Sequence, residues 1–182
     1  MSGLRVVIID LDMRKPKVHL GLNGINDKGV STILIGRHSL EECLRTTEID
    51  NLSYIAAGPI PPNPSELVLR EEFRDLVKSL KELYDVVLID TPPVGLVTDA
   101  MIIMQHVDVR LFVLRANYSK RFFAKNIQKI MRLHQIQRGG MVLNSVETRG
   151  SYGYGYGGYY EDQVPKRKWW SFLRLPALFR RK

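Results

Sequence analysis

The chain has 182 residues, of which 45% are hydrophobic and 25% charged, a composition that fits a globular domain and excludes a disordered or fibrous protein. Its single cysteine excludes an internal disulfide framework and a Cys-based zinc site. No run of 18 apolar residues is present to span a bilayer, and the first residues lack the apolar segment of a signal peptide, so we expect a cytoplasmic protein.

The net charge of +8 is concentrated at one end of the sequence. Residues 166–182 hold seven cations and no acid, so removing those seven from +8 leaves residues 1–165 with only +1. We therefore expect no nucleic-acid binding, because that function needs a basic face on the folded body. Trp, Phe and Leu alternate with these cations, a pattern that suits contact with an anionic membrane and equally a solubilising or partner-binding tail.

The predicted elements alternate between strand and helix along the chain. In order they are strand Val6–Asp10, helix Ser39–Thr46, strand Ser53–Ala57, helix Ser65–Tyr84, strand Asp85–Asp90, helix Thr98–His106, strand Val109–Leu114, helix Ser119–His134 and strand Met141–Leu143. The strands are short, nearly all apolar segments, as in sheets buried on both faces. The first helix begins with a capping box, and the second has apolar residues spaced by three and four. This alternation predicts an α/β fold with a doubly wound, mostly parallel sheet.

The composition changes after Glu147. Residues 150–160 contain five glycines and five tyrosines without apolar periodicity, so they cannot bury enough surface to offset the entropy of ordering. We therefore predict three regions, namely a folded domain over 1–147, a flexible Gly/Tyr-rich tail over 148–165 and a basic aromatic tail over 166–182.

Acidic residues end two of the predicted strands. Asp10 ends the first strand and is followed by Asp12 and Arg14, and Asp90 ends a later strand just before Thr-Pro-Pro. Ligands of open α/β sheets bind beyond the carboxyl ends of the strands. Carboxylates at this edge are suited to holding hydrated Mg²⁺ and to accepting a proton from an attacking hydroxyl. The alternative is that each Asp only caps the turn that follows it.

Several segments resemble those of a known family. VVIIDLDMRKP at 6–16 is similar to the second nucleotide-binding signature of bacterial tyrosine autokinases, and VVLIDTPP at 86–93 is similar to their Walker B signature. These kinases are deviant P-loop ATPases related to the ParA and septum-placement proteins. The resemblance covers about residues 5–160 and continues through PPNPSEL at 61–67, TDA at 98–100, LNSV at 143–146 and the tyrosine cluster.

The resemblance implies roles for individual residues. Asp10 and Asp90 match residues that hold Mg²⁺ through water, and Asp12 matches the carboxylate that activates the tyrosine hydroxyl. Arg14 belongs to the same motif as a further catalytic candidate, and Asn144 matches an adenine contact. The implied phosphoacceptors are Tyr152, Tyr154, Tyr156, Tyr159 and Tyr160.

The resemblance also implies cofactors and partners. ATP and Mg²⁺ would be the cofactors, and the tyrosines would be phosphorylated in trans by a neighbour in a ring-shaped homo-oligomer or by an intact kinase. Kinases of this family control capsular and exopolysaccharide synthesis and export with a membrane-embedded polysaccharide co-polymerase. The implied location is therefore the inner face of the plasma membrane.

The sequence departs from the family at its phosphate loop. It contains no GxxxxGK(S/T) motif, whose backbone amides and lysine hold the phosphates, and no Gly-Lys dipeptide. In the family, that loop and its strand precede the strand at 6–10, so we expect a sheet with an open or collapsed middle and no ATP turnover by these 182 residues alone.

Three interpretations follow from the missing loop. The chain is a piece of a longer kinase, or it is a short protein that keeps the tyrosine tail as a non-catalytic acceptor or scaffold. A ParA-like ATPase is the third, although such an ATPase has no need of the tyrosine cluster. We favour the first.

Overall fold

The computed structural model describes residues 3–94 and 98–147. The elements, in chain order, are β1 (Val6–Asp10), α1 (Val18–Gly21), α2 (Val30–Leu34), α3 (Leu40–Cys43), β2 (Leu44–Thr46), β3 (Leu52–Ile55), α4 (Pro64–Leu67), α5 (Glu71–Leu83), β4 (Val86–Asp90), α6 (Asp99–Ile103), a 3₁₀ turn (Met104–His106), β5 (Arg110–Arg115), α7 (Arg121–Leu133) and β6 (Gly139–Asn144). None of the helices in these ranges is long and apolar enough to cross a membrane.

The strands form two sheets. The larger sheet has the order β2-β3-β1-β4, in which β1 runs parallel to both β3 and β4 while β2 is antiparallel to β3. The smaller sheet is the parallel pair β5-β6. This arrangement confirms the predicted α/β fold with a mostly parallel sheet.

A gap separates β4 from β5. Within 3–94 and 98–147, β4 pairs only with β1, and β5 pairs only with β6, so each strand has one edge with no strand beside it. A cavity of about 440 Å³ lies between them, and its lining includes Val87 and Ile89 from β4 and Leu111 and Phe112 from β5. The gap agrees with the predicted open middle of the sheet.

The core packs β1 against the helices. Val7 and Ile9 are fully buried, and their alternate positions in the strand place them on the same face of the sheet. They belong to one apolar cluster with residues of α2, α5 and α6, including Phe73 and Leu80 of α5. This packing anchors β1 and therefore fixes the position of the residues at its carboxyl end.

The helix predicted to run to Thr46 is shorter than expected. Its start is confirmed, because the Ser39 Oγ accepts the Glu42 N–H at 3.3 Å and the Glu42 carboxylate accepts the Ser39 N–H at 2.7 Å. The helix ends at Cys43, however, and Leu44–Thr46 form β2. The backbone groups of these three residues find their hydrogen-bond partners by pairing with β3 instead of by continuing the helix.

The prediction of one long helix over Ser65–Tyr84 is wrong in one respect, because the structure has two helices in this range. α4 and α5 are separated at Arg70, whose backbone is extended with φ −73° and ψ 159°. The break allows the consecutive residues Leu67 and Val68 both to be buried. It leaves Leu69, which the apolar spacing placed on the core face, 59% exposed.

Candidate functional site

The acidic residues at the carboxyl edge of the larger sheet lie on neighbouring strands. β1 and β4 are parallel and in register, with Asp10 opposite Asp90. Residues opposite each other in adjacent strands have backbones roughly 5 Å apart and side chains on the same face. The structure therefore brings the two predicted Mg²⁺-binding carboxylates together.

The Asp10 carboxylate closes the loop that follows β1. It is fully buried, and it accepts backbone hydrogen bonds from Asp12 N at 3.1 Å, Lys17 N at 3.2 Å and Val18 N at 3.1 Å. Burial raises the pKa of Asp10, although these three hydrogen bonds act in the opposite direction. Asp10 thus does cap the following turn, and Oδ1, with one donor, retains a lone pair for a further ligand.

Asp12 lies in the tight turn after β1. Its Oδ1 accepts the N–H groups of Arg14 at 3.3 Å and Lys15 at 3.0 Å. No donor in the described part of the chain reaches its Oδ2. That oxygen is therefore available to accept a proton, as the predicted role of Asp12 requires.

The carboxylates of Asp10, Asp12 and Asp90 bring negative charge together at the ends of β1 and β4. Desolvation raises the pKa of Asp90, and the negative charges of Asp10 and Asp12 raise it further. Among the described residues, no Lys or Arg forms a salt bridge with any of these three carboxylates. A divalent cation would relieve this repulsion.

The chemistry of the edge fits Mg²⁺ bound partly through water. Mg²⁺ usually keeps several waters and takes one or two protein carboxylates, which matches the in-register pair Asp10 and Asp90. No group of three His, Cys, Asp or Glu residues within 3–94 and 98–147 has the geometry of a metal site. Asp10 and Asp90 would hold such an ion, with water in its remaining positions.

Replacing Asp90 with asparagine is expected to raise the free energy of unfolding by about 0.5 kcal/mol at pH 7 without divalent cations, the scale of an exposed charge interaction. Because the pKa of Asp90 is raised in the folded state, that state binds the proton more tightly than the unfolded chain does. The carboxylate therefore costs stability as the pH rises above about 4, and the advantage of Asp90→Asn should disappear below that pH. Urea denaturation from pH 3 to 7 measures the effect.

Asp75→Asn, on the exposed face of α5, is the matched control for this change of charge. Added Mg²⁺ should stabilise the wild-type chain and not Asp90→Asn, because a ligand stabilises only the state that binds it. A destabilised Asp90→Asn at pH 7 in the absence of Mg²⁺ would contradict the repulsion described above.

Arg14 is engaged by side chains from α4 and α6. Its Nε donates to Asp99 Oδ2 at 3.0 Å, and its Nη2 donates to Ser65 Oγ at 3.0 Å and to Asp99 Oδ1 at 3.5 Å. The Ser65 hydroxyl donates a short hydrogen bond to Asp99. Burial by itself would raise the pKa of Asp99, but the hydrogen bonds from Arg14 and Ser65 outweigh it and leave the pKa lowered.

Sequence reasoning missed Ser65 and Asp99 as residues of the site. The available signal was their presence in PPNPSEL and TDA, two of the segments that carry the resemblance. Neither segment indicates that its polar side chain would meet Arg14, which lies 51 residues from Ser65 and 85 residues from Asp99.

Of the other predicted site residues, the structure describes Asn144. Asn144 ends β6, in register with Arg115 of β5, and so belongs to the smaller sheet rather than to the sheet of the carboxylates. The predicted phosphoacceptors Tyr152, Tyr154, Tyr156, Tyr159 and Tyr160, and the basic tail at 166–182, lie outside the described residues.

Known proteins resemble this chain in sequence and in fold. Residues 1–138 match the model of the AAA domain family. Wzc, a tyrosine-protein kinase of Salmonella typhi, is 42% identical over 159 residues, which cover 86% of this chain and 22% of Wzc. CapB of Staphylococcus aureus, also named as a tyrosine-protein kinase, is 34% identical over 162 residues, which cover 86% of this chain and 69% of CapB. The chain belongs to the bacterial tyrosine-protein kinase family.

A solved structure supports the same assignment. The kinase domain of the Escherichia coli tyrosine kinase Etk matches with a TM-score of 0.74 and 34% identity, covering 86% of this chain and 61% of that domain. The resemblance to bacterial tyrosine kinases predicted from the sequence is thereby confirmed. The chain spans 22% of the length of Wzc and 69% of the length of CapB.

Proposed function

We propose that this chain supplies the Mg²⁺ site and the acceptor tyrosines of a tyrosine autokinase that regulates capsular or exopolysaccharide synthesis and export. The observation that carries the proposal is the in-register pair Asp10 and Asp90, with Asp12 in the adjoining turn. In such a reaction ATP would supply the phosphoryl group and Mg²⁺ would neutralise the developing charge, while the protein mainly positions the reactants. Asp10 and Asp90 would hold the ion, and Asp12 Oδ2 would take the proton of the tyrosine hydroxyl.

This site needs a phosphate-binding loop that the chain does not encode. The open edge of β4 ends at Asp90, so a parallel strand placed between β4 and β5 would end beside the carboxylates. A glycine-rich turn after that strand would present its backbone amides above the same edge, where phosphates bind. A segment preceding residue 1 in a longer kinase is the source we favour for this strand and loop.

The tail residues complete the proposal. The five tail tyrosines would be phosphorylated in trans, by a neighbour in a ring-shaped oligomer or by an intact kinase. The basic aromatic residues 166–182 would contact anionic lipid at the inner face of the membrane, near a polysaccharide co-polymerase partner, because cations there are attracted to the anionic surface.

These 182 residues alone are expected to show no ATP-dependent tyrosine phosphorylation. The same residues, joined at their N-terminus to the phosphate-loop segment of a full-length relative such as Wzc, are expected to phosphorylate their own tail. Mass spectrometry of tryptic peptides after incubation with Mg²⁺ and ATP measures both results. The matched control is the joined protein with the lysine of its GxxxxGK(S/T) loop changed to methionine.

Two outcomes would contradict this proposal. Phosphorylation by a clean preparation of the 182 residues would show that no external phosphate loop is needed. An inactive joined protein that is nevertheless folded would favour the non-catalytic acceptor, and mixing the chain with an intact kinase would then show phosphotyrosine on its tail.

A further inference from the structure

Three segments at the carboxyl edge of the larger sheet meet at the Asp99 carboxylate. Arg14 comes from the loop after β1, Ser65 from α4, which follows β3, and Asp99 from the start of α6, which follows β4. The Asp99 side chain is only 3% exposed, whereas that of Arg14 is 40% exposed. A buried carboxylate with two side-chain donors therefore joins the segments that follow three adjacent parallel strands.

Arg14 connects this junction to Asp12 through its backbone. Its N–H donates to Asp12 Oδ1, while its guanidinium donates from Nε and Nη2 to the Asp99 carboxylate. The planar guanidinium fork can make several directed hydrogen bonds at once, which a lysine ammonium cannot reproduce in the same geometry. Movement of the Arg14 side chain would therefore be transmitted to the turn that holds Asp12.

We propose that Arg14 is a positioning residue, which together with Asp99 and Ser65 holds Asp12 in place beside the pair Asp10 and Asp90. This inference rests on the proposed function of those carboxylates. It assigns Arg14 no contact with phosphate, because turning the guanidinium toward a phosphate would leave Asp99 buried with Ser65 as its remaining side-chain donor. Ser65 and Asp99 become functional residues although neither has a place in the chemical step.

The test compares Arg14→Lys with Arg5→Lys in the full 182-residue chain. Both variants keep the charge and lose the fork, but Arg5 pairs with Asp85 at the opposite, amino end of β1 and β4. In Arg14→Lys we expect the ¹⁵N order parameters of residues 12–15 to fall from about 0.85 to below about 0.6, the values of rigid and flexible backbone. We expect its Mn²⁺ dissociation constant to rise about tenfold or more, because loosening this turn weakens the hydrogen bond from the Asp12 N–H that orients the Asp10 carboxylate. Arg5→Lys should change neither measurement.

The outcomes separate this inference from the proposed function. Unchanged order parameters and unchanged Mn²⁺ affinity in Arg14→Lys would overturn the positioning role and leave Arg14 acting through its charge alone. A wild-type chain that binds no Mn²⁺ would overturn the proposed function, while the order parameters would still decide the role of Arg14.

If Arg14→Lys does not fold, Ser65→Ala replaces it, with Ser79→Ala on the exposed face of α5 as control. Only the former should loosen residues 12–15, and equal behaviour of the two serine variants would overturn the inference.

Discussion

Replacing Arg14 with methionine is expected to lower the free energy of unfolding by about 2–3 kcal/mol at pH 7, the scale of hydrogen bonds to a buried charge. Methionine keeps much of the length of the side chain and removes all its donors, so Asp99 is left buried with less compensation for its charge. The loss should be smaller than for a fully buried pair, because the Arg14 side chain is 40% exposed. Urea denaturation of the two chains measures the difference.

The acid dependence of this loss has a definite sign. Since the pKa of Asp99 is lowered in the folded state, its ionised form contributes stability above the ordinary carboxyl pKa, and that stability disappears as the pH falls through the lowered pKa. The wild-type chain and Arg14→Met should therefore differ most near pH 7 and converge in acid. Arg5→Met, which breaks an exposed pair with Asp85, should cost much less stability than Arg14→Met, because exposed ion pairs contribute little.

A double variant distinguishes loss of a salt bridge from loss of packing. Arg14→Met combined with Asp99→Leu removes both charges, and replacement of a buried ion pair by apolar residues is often neutral. The double variant should therefore be more stable than Arg14→Met alone. If the free energy of unfolding of the double variant falls below that of the wild-type chain by the sum of the two single losses, the two side chains do not interact. The arrangement described around Asp99 would then be wrong.

The strands at the centre of the fold could be predicted because their local sequence pattern and their packing in the sheet both favour a strand. Val6–Asp10 and Val86–Asp90 are apolar segments that end in Asp, and in the structure they are neighbouring parallel strands in register. The sequence indicates that each segment is a strand and that its Asp lies at the carboxyl end. The pairing partner and the register depend on contacts across 80 residues, which no local pattern specifies.

The network around Asp99 could not be predicted for the same physical reason. Its members come from the segments that follow three different strands, and the buried Asp99 carboxylate is stable only when Arg14 and Ser65 both bring their donors to it. Taken singly, Asp99 is a residue at a helix start, Ser65 a helix-forming residue after proline, and Arg14 a free cation. Their joint role exists only in the tertiary structure.

The break between α4 and α5 shows that packing can override the spacing of apolar residues along a helix. The largest expected loss of stability comes from a substitution in α5, the helix that begins after this break. Phe73→Ala is expected to lower the free energy of unfolding by about 3–5 kcal/mol, the range for a large aromatic side chain removed from a packed core. Phe73 is fully buried among residues of β1 and α5, and its ring contacts His106 edge to face at 5.4 Å between centroids. Thermal and urea denaturation measure the loss.

Leu69→Ala is the matched comparison, because Leu69 and Phe73 are four residues apart and would share the core face of one continuous helix. In the structure the extended residue Arg70 separates them and Leu69 is 59% exposed, so its truncation should change stability by no more than about 0.5 kcal/mol. Comparable losses in the two variants would mean that the helix runs unbroken through Arg70, with Leu69 in the core. A large loss in Phe73→Ala alone would locate the start of the packed helix after the break, which is the arrangement that buries Leu67 and Val68 together.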